Sequence, residues 1–572
     1  MSDESVAVDT AVLDAAFTVV EQAFADRGLV VTRLPPAIRP RFLGLQVVAG
    51  GATWRFEVDC FEERYALPRV WLRERQPGQE LLAHVSYRGV VCVTDGQGMS
   101  LDMERPLDII AHAALAAYDL FCASAKDAAE EGYAEFLNEL EGYWSQLPNQ
   151  VQGRASFEPD GRSRVVTGYR KNAGADGSWY FIDVGERPPA AFEVEKLQAL
   201  KAMYVHLPVV PLPPTSPGSV DATYLSLLRA SMSEEQVGAW DKLLAVSKNG
   251  KRQAVLLVST PRPAGGVSLI GIAFGAHRGV VDTKAPITPF VLHRHSVQYM
   301  RERGGSSLEA MSKRVVVIGC GSVGSEVASA LAASGVGHLE LVDPDDYTEE
   351  NVFRHVLRPT FIGLSKVYSL RAQLETSFPG LQVTARKITG QNWLREHKAI
   401  DADGVVIAIG MPSVERAIAR RIRELAPKSA ISVTWLDPLD IGGHSVLAWS
   451  HEEGCLDCLY RDDEGMPALS PSVSFMEPNQ KVTRSLTGCF GVFVPFSVLQ
   501  SRRTGLMAAE QMFNAISGLP GKQYAFWTGR GQAAMDAGLR LTPWWNEARR
   551  VTADDVSHRV FGSACPRCRK AA

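Results

Sequence analysis

Arg314-Val-Val-Val-Ile-Gly-Cys-Gly-Ser-Val-Gly-Ser-Glu-Val-Ala328 is the stretch on which the reading of this chain turns. Its opening run is apolar at every position after Arg314, the pattern of a strand covered on both faces of a parallel sheet. Glycines follow at 319, 321 and 324, and a helical pattern begins among them. Small residues there let the backbone approach a phosphate, and the start of the helix offers that phosphate unpaired N–H groups and a partial positive charge. A second strand, His338 to Val342, ends at Asp343, about 20 residues past the last glycine, where a carboxylate takes ribose hydroxyls. The sequence therefore predicts a βαβ unit holding a nucleotide. On these residues alone NAD, FAD and ATP fit equally well.

The choice between them lies downstream. Asp343-Pro-Asp345-Asp is followed by Asn351-Val-Phe-Arg354 and then by Gly363-Leu-Ser-Lys366. Hydride transfer needs an empty nicotinamide pocket, whereas adenylation needs cations around a triphosphate and its leaving pyrophosphate, and Arg354 and Lys366 supply them. In this order and spacing the segment resembles the ubiquitin-activating (ThiF) superfamily, which includes the adenylyltransferases of molybdopterin and thiamine biosynthesis. The resemblance implies ATP with Mg2+, Asp343 on the ribose, Asn351 and Arg354 on the phosphates, and Lys366 on the α-phosphate or the adenine-proximal side. One feature departs from the family: the Asp, often followed by Asn, that helps to hold magnesium after the fourth strand is replaced by Gly410-Met411-Pro412. Asp345 or a water-mediated arrangement is left for that role. Arg301 and Arg303 resemble the arginine that such domains pass into a partner subunit's ATP site, and a homodimer is expected.

Two pairs, Cys455-Leu-Asp-Cys458 and Cys565-Pro-Arg-Cys568, stand 107 residues apart (458 to 565). Each can set two sulfurs on one metal from a tight turn, and four thiolates predict a closed tetrahedral Zn2+ site. The resembling family keeps its structural zinc at these positions, which gives the metal the task of holding the C-terminal tail. Between the pairs lies Cys489, in the glycine-flanked stretch Ser485-Leu-Thr-Gly-Cys-Phe-Gly491. The corresponding crossover loop of activating enzymes carries the cysteine that takes the acyl group from the adenylate, and a thiol is a good nucleophile even when little ionised.

Nearer the N-terminus, Phe56-Glu-Val-Asp-Cys-Phe-Glu-Glu-Arg-Tyr-Ala-Leu-Pro-Arg-Val-Trp71, His84-Val-Ser-Tyr-Arg-Gly-Val-Val-Cys92-Val93 and Pro106-Leu-Asp-Ile-Ile110 follow in order. This order resembles ubiquitin-conjugating enzymes: a strand, a Tyr-x-x-Pro turn, a second strand, a histidine, Gly-x-x-Cys, and a helix after a proline. The resemblance makes Cys92 the thioester cysteine and His84 the histidine upstream of it. The family's His-Pro-Asn reads His84-Val85-Ser86 here, so the usual amide is absent. Asp127 to Leu147 reads as an acidic connecting helix, and Val151 to Pro289 as strands with proline-rich punctuation and no chemical motif.

The expected fold class is multidomain α/β and α+β: a ubiquitin-conjugating-like domain over 1–125, a linking domain over 126–290, and a Rossmann-like adenylation domain with zinc over 291–572. This order of parts resembles the fused ubiquitin-transferase-like proteins of bacterial anti-phage CBASS operons. That resemblance implies activation of a protein C-terminus, that of a cGAS-like nucleotidyltransferase, capture on cysteine and transfer to an amine. Competing readings are a sulfur-carrier adenylyltransferase for cofactor or peptide biosynthesis and a non-catalytic nucleotide-binding scaffold. A formal net charge of -4 gives no global attraction for nucleic acid or an anionic membrane. With no apolar stretch approaching the roughly 20 residues of a span, a soluble cytoplasmic protein is expected.

Overall fold

The computed structural model describes residues 10–572 apart from 61–66, 78, 95, 172–178, 187–196, 216–219, 246, 248–249, 462–465, 487–491, 520–522, 552–560, 562–564, 566 and 569–572. The chain divides into two units, residues 1–296 and 297–572.

In the first unit, helix α1 (Thr10–Ala25) is followed by the antiparallel meander β1 (Val31–Leu34), β2 (Phe42–Ala49), β3 (Ala52–Asp59), β4 (Val70–Leu72) and β5 (Val90–Val91), paired in sequence order. Helix α2 (Pro106–Glu130) begins at a proline, whose missing N–H costs nothing in the first turn. This is the helix expected after that proline, and it runs on to Glu130. By length and composition it is also apolar enough to cross a membrane, contrary to the sequence expectation. Its Ile110, Ala113, Ala114, Ala117 and Phe121 are buried in one core with Val20, Phe24, Trp54 and Phe56 of α1 and the meander. Phe121 stacks on Trp54 with ring centroids 5.2 Å apart.

The expected acidic helix from Asp127 to Leu147 is broken. Gly132 and Tyr133 both take positive φ (65° each), and the path resumes as α3 (Ala134–Asn138) and α4 (Leu140–Trp144). A left-handed residue cannot continue a right-handed helix, so α2 ends at Glu130 and α3 starts anew at Ala134.

The region expected as a linking domain of strands forms an eight-stranded sheet: β6 (Val151–Ala155), β7 (Arg164–Lys171), β8 (Trp179–Asp183), β9 (Leu197–His206), then α5 (Ala222–Ala230) and α6 (Glu234–Ala245), then β10 (Arg252–Pro261), β11 (Val267–His277), β12 (Val280–Val281) and β13 (Thr288–Arg294). The order β10-β9-β7-β8-β6-β13-β11 is closed by a ten-residue antiparallel pairing of β10 with β11. Closure removes exposed strand edges. Phe157, Trp179, Phe181, Tyr204, Leu257 and Phe290 form one apolar core of this sheet, while α3, α4, α5 and α6 supply Phe136, Trp144, Tyr224 and Trp240 to a second.

In the second unit, α7 (Val297–Gly304) precedes β14 (Arg314–Ile318), α8 (Ser322–Ala333), β15 (His338–Val342), α9 (Lys366–Ser377), β16 (Gln382–Arg386), α10 (Gly390–Glu396), β17 (Gly404–Ile407), α11 (Pro412–Leu425), β18 (Ala430–Leu436) and β19 (Gly442–Trp449). A small hairpin, β20 (Arg484–Ser485) with β21 (Val492–Phe493), and helix α12 (Val498–Ile516) lead to β22 (Tyr524–Thr528). The sheet order is β16-β15-β14-β17-β18-β19-β22; the first five strands are parallel and the last two antiparallel. Strand order reverses between β14 and its neighbours β15 and β17, and the crevice at the carboxyl ends of such strands is where ligands sit in open α/β sheets.

Candidate functional site

The β14–α8 turn occupies that crevice, and its three glycines do different work. Gly319 takes φ +89°, and a Cβ there would meet the Ala408 carbonyl oxygen at 2.6 Å. A Cβ on Gly324 would fall 1.8 Å from the Gly319 carbonyl oxygen, so the helix can close on the strand only without a side chain. Gly321, the residue capping α8, has open space where a Cβ would be, which leaves the first N–H groups of the helix approachable by an anion.

Asp343 at the end of β15 ties this turn to the next. Its Oδ2 accepts the Cys320 N–H at 2.7 Å and its Oδ1 accepts the Asp345 N–H at 2.9 Å. Burial raises the carboxyl's pKa, and the nearby Lys366 cation opposes the rise. The Lys366 ammonium, buried at the first turn of α9, lies 2.9 Å from Asp345 Oδ2, and its own N–H donates to the Asp345 carbonyl. Asn351 closes a capping box: its Oδ1 accepts the Thr348 N–H at 3.3 Å. Arg354 lies with its guanidinium carbon 5.4 Å from the ring centre of Phe496, and its Nε is buried without a hydrogen-bond partner among the described residues. A buried donor left unpaired costs its desolvation, so this arginine is poised for an anion's oxygen.

Two residues that motif reading passed over hold the frame. His355 accepts the Leu357 N–H on Nδ1 (3.1 Å), which leaves Nε2–H to donate to the Cys320 carbonyl at 2.8 Å. Burial lowers its pKa to about 4, so the imidazole is neutral and pins the glycine turn. Glu415 on α11 accepts the N–H groups of Ile409 and Gly410 at 3.0 and 2.8 Å, and burial raises its pKa to about 7. It thus braces the loop after β17 where the family's magnesium carboxylate is missing. Nothing in the sequence flags either residue, because each matters only through backbone groups brought to it by the fold.

These two groups give opposite pH dependences. The unfolded imidazole takes a proton near pH 6.5 and the folded His355 only near pH 4, so its stabilising effect is lost as pH falls through that window, by about 3 kcal/mol at its lower end. Glu415, neutral in the fold up to about pH 7, loses stability as pH rises from 4.5 to 7. The difference between urea-unfolding curves of the wild type and His355→Gln, taken from pH 7 to pH 4, is expected to isolate the histidine. A wild-type advantage that stays constant over that range would contradict the assignment.

Cys455, Cys458, Cys565 and Cys568 meet as the spacing predicted, with all four sulfurs within 4.8 Å of one another. The Cys455–Cys458, Cys455–Cys565 and Cys458–Cys568 separations are 3.9, 3.9 and 3.6 Å. Bonds of about 2.3 Å to a tetrahedral zinc would set the sulfurs about 3.8 Å apart, so the donor set fits that ion. Asp457, buried beside the cluster, pairs with Arg416 (3.0 Å), Arg420 (2.5 Å) and Arg567 (3.7 Å). The surplus of guanidinium over carboxylate offsets the charge that four thiolates would bring.

Arg301 is buried and donates to the Gly335 carbonyl at 2.5 Å in its own chain, which leaves Arg303 as the exposed arginine of α7. Cys489 lies outside the described residues.

In the first unit, Cys92 and His84 meet at a groove of about 960 Å3 that they line together with Arg69, Glu139 and Tyr143. The Cys92 N–H donates to the His84 carbonyl at 2.8 Å. Cys92 is exposed, and its Sγ lies 3.5 Å from the Thr94 carbonyl.

Residues 293–520 match the family described as the ThiF family; this part of the chain is a ThiF-family domain, as its motifs implied. The chain is similar to ATP-dependent ubiquitin transferase-like protein Cap2: it is 21% identical to that of Pseudomonas aeruginosa over 238 residues, 41% of this chain and 42% of that protein. Its identity to the Cap2 protein of Escherichia coli is 32% over 130 residues, 22% of each. The chain thus spans less than half the length of these curated relatives. Among solved structures, E. coli MccB with MccA-N7isoASN aligns at 15% identity over 41% of this chain and 64% of that one, with a TM-score of 0.31.

Proposed function

We propose that the chain activates the C-terminal carboxylate of a protein with ATP, captures it on cysteine and joins it to an amine. The observation that carries the reading is the glycine turn flanked by Asp343 and Lys366, with the unpaired buried Nε of Arg354 on the following segment. Asp343 orients the ribose, the α8 N-terminus and Lys366 hold the phosphates nearest the reacting carboxylate, and Arg354 holds the pyrophosphate as it leaves. The carboxylate oxygen forms a bond to the α-phosphorus and pyrophosphate departs. Magnesium, held by Asp345 and the phosphates, would neutralise charge on the leaving group. Cys489 then attacks the acyl-adenylate and releases AMP; the acyl group passes to Cys92 by thioester exchange. The amine nitrogen finally bonds to the carbonyl carbon, the C–S bond breaks, and the amine proton leaves with the thiolate or with solvent.

Resemblance to the CBASS fused transferases makes a cGAS-like nucleotidyltransferase the protein activated, with Cys92 in a ubiquitin-conjugating-like region and Arg303 reaching a second copy in a homodimer. With ATP and such a nucleotidyltransferase the chain should catalyse pyrophosphate exchange, and exchange should vanish when the nucleotidyltransferase lacks its C-terminal residues. Equal exchange with the truncated protein would overturn the choice of substrate.

The four cysteines are read as a structural zinc site without an open position. Freshly purified, reduced protein should hold one zinc per chain, and Cys565→Ser should lower thermal stability without selectively removing exchange activity. Metal analysis at less than about half occupancy would count against the site.

A further inference from the structure

We propose that Glu139, outside the region that resembles conjugating enzymes, is a positioning residue for Cys92: it clamps His84, and through His84 the backbone that carries the thiol. The proposal rests on reading Cys92 as the transfer cysteine.

His84 sits at φ +60°, a left-handed conformation that side chains other than glycine keep only where their surroundings hold it. Here every polar group of the residue is held. Glu139 grips it twice: Oε2 accepts the His84 N–H at 3.0 Å and Oε1 lies 2.8 Å from Nδ1. Glu135 Oε1 lies 3.2 Å from Nε2, and the His84 carbonyl accepts the Cys92 N–H. Val85 and Val91 form the next pair of the same antiparallel ladder, so His84 and Cys92 stand opposite each other across it. The turn beyond is closed by the Ser86 hydroxyl, which accepts the Val90 N–H at 2.9 Å, and by Arg75, which donates to the Ser86 carbonyl.

Both carboxylates come from α3 and the residue just after it, which exist because the positive φ at Gly132 and Tyr133 turns the chain out of α2 and back toward the cysteine. Asp127 fixes that return by accepting the N–H groups of Glu135 and Phe136. The charged and titratable groups facing His84 are Glu139 and Glu135; Arg69 and Tyr143 line the same groove, and Arg75 lies behind the turn. The hydrogen bond that His84 donates to Glu139 is the main cause of a raised His84 pKa; burial raises that of Glu139, and the same pairing outweighs burial and lowers it. The ion pair is therefore complete below the imidazole's raised pKa and lost as pH rises through it.

The test uses the full chain and needs no substrate protein. Alkylation of Cys92 by iodoacetamide is followed by peptide mass spectrometry, with exposed Cys122 of the same unit as internal reference. Glu139→Ala should change the Cys92 to Cys122 rate ratio by about tenfold, the scale of a lost charge-assisted hydrogen bond, with Glu139→Gln, which can still accept the His84 N–H, in between. In the wild type the ratio should step where His84 titrates, and the step should move to lower pH in Glu139→Gln. A ratio in Glu139→Ala equal to that of the wild type at every pH from 6 to 9 would overturn the clamp. In amide formation, Glu139→Ala should lower kcat with the acceptor's KM unchanged, and Glu139→Asp should recover part of the loss. If Cys92→Ala keeps full transfer activity, the transferase reading falls on its own, and the alkylation ratio still decides whether Glu139 governs the cysteine.

Discussion

Replacing Arg354 by alanine is expected to lower ATP–pyrophosphate exchange by on the order of a hundredfold or more, the scale on which one preorganised electrostatic group acts on a developing charge. Arg354 is prepared for this task, since its Nε is buried with no partner and its guanidinium rests against Phe496. The energetic cost of holding it there is met before substrate arrives, and the anion recovers it. Lys366→Ala should have a comparable effect by a different route. In the free protein its ammonium is paired with Asp345, so its loss also removes the cation that holds that carboxylate in place. Lys366→Arg should recover little, because a planar guanidinium does not reproduce the compact point charge of the buried ammonium. Exchange rates within about threefold of the wild type in both alanine variants would show that these cations do not serve the reacting phosphates.

The second large effect separates the two thiols. In the proposed function adenylation is assigned to the second unit, so Cys489→Ala should leave pyrophosphate exchange intact while every reductant-sensitive adduct disappears. Cys92→Ala should still form an adduct on Cys489, yet yield no amide. Thioester exchange breaks one thioester and forms another, so it is nearly balanced, and the two adducts should be separable by mutation. Cys92→Lys should trap the acyl group as a stable amide on the chain itself. Full amide formation in Cys92→Ala would remove the first unit from the reaction and leave an adenylating domain with an attached module.

The parts legible in the sequence are those in which residue type is forced locally. Gly319 and Gly324 are set by contacts with carbonyl oxygens that no side chain could survive, and Asp343 by its place at a strand end. The four thiols are legible because zinc constrains both their chemistry and their spacing. The closed sheet of the first unit is illegible because, although β10 and β11 form an adjacent hairpin, closure also needs β6 beside β13 and β9 beside β10, parallel pairings of separated strands that no local pattern announces. His355, Glu415 and Glu139 were illegible for a related reason. A lone histidine or glutamate carries no periodicity, and each acts on backbone groups that only the tertiary fold delivers. The run from Asp127 to Leu147 kept helical composition throughout, and the break at Gly132 and Tyr133 depended on Asp127 capturing the N–H groups of α3.

The claim on which the whole account rests is that the glycine turn holds a triphosphate, and calorimetric titration of the purified full chain tests it without any partner protein. ATP with magnesium should bind at one site per chain, Arg354→Ala should weaken that binding, and NAD should give no heat at the same concentrations. Saturable binding of NAD with none of ATP would contradict the account at its root.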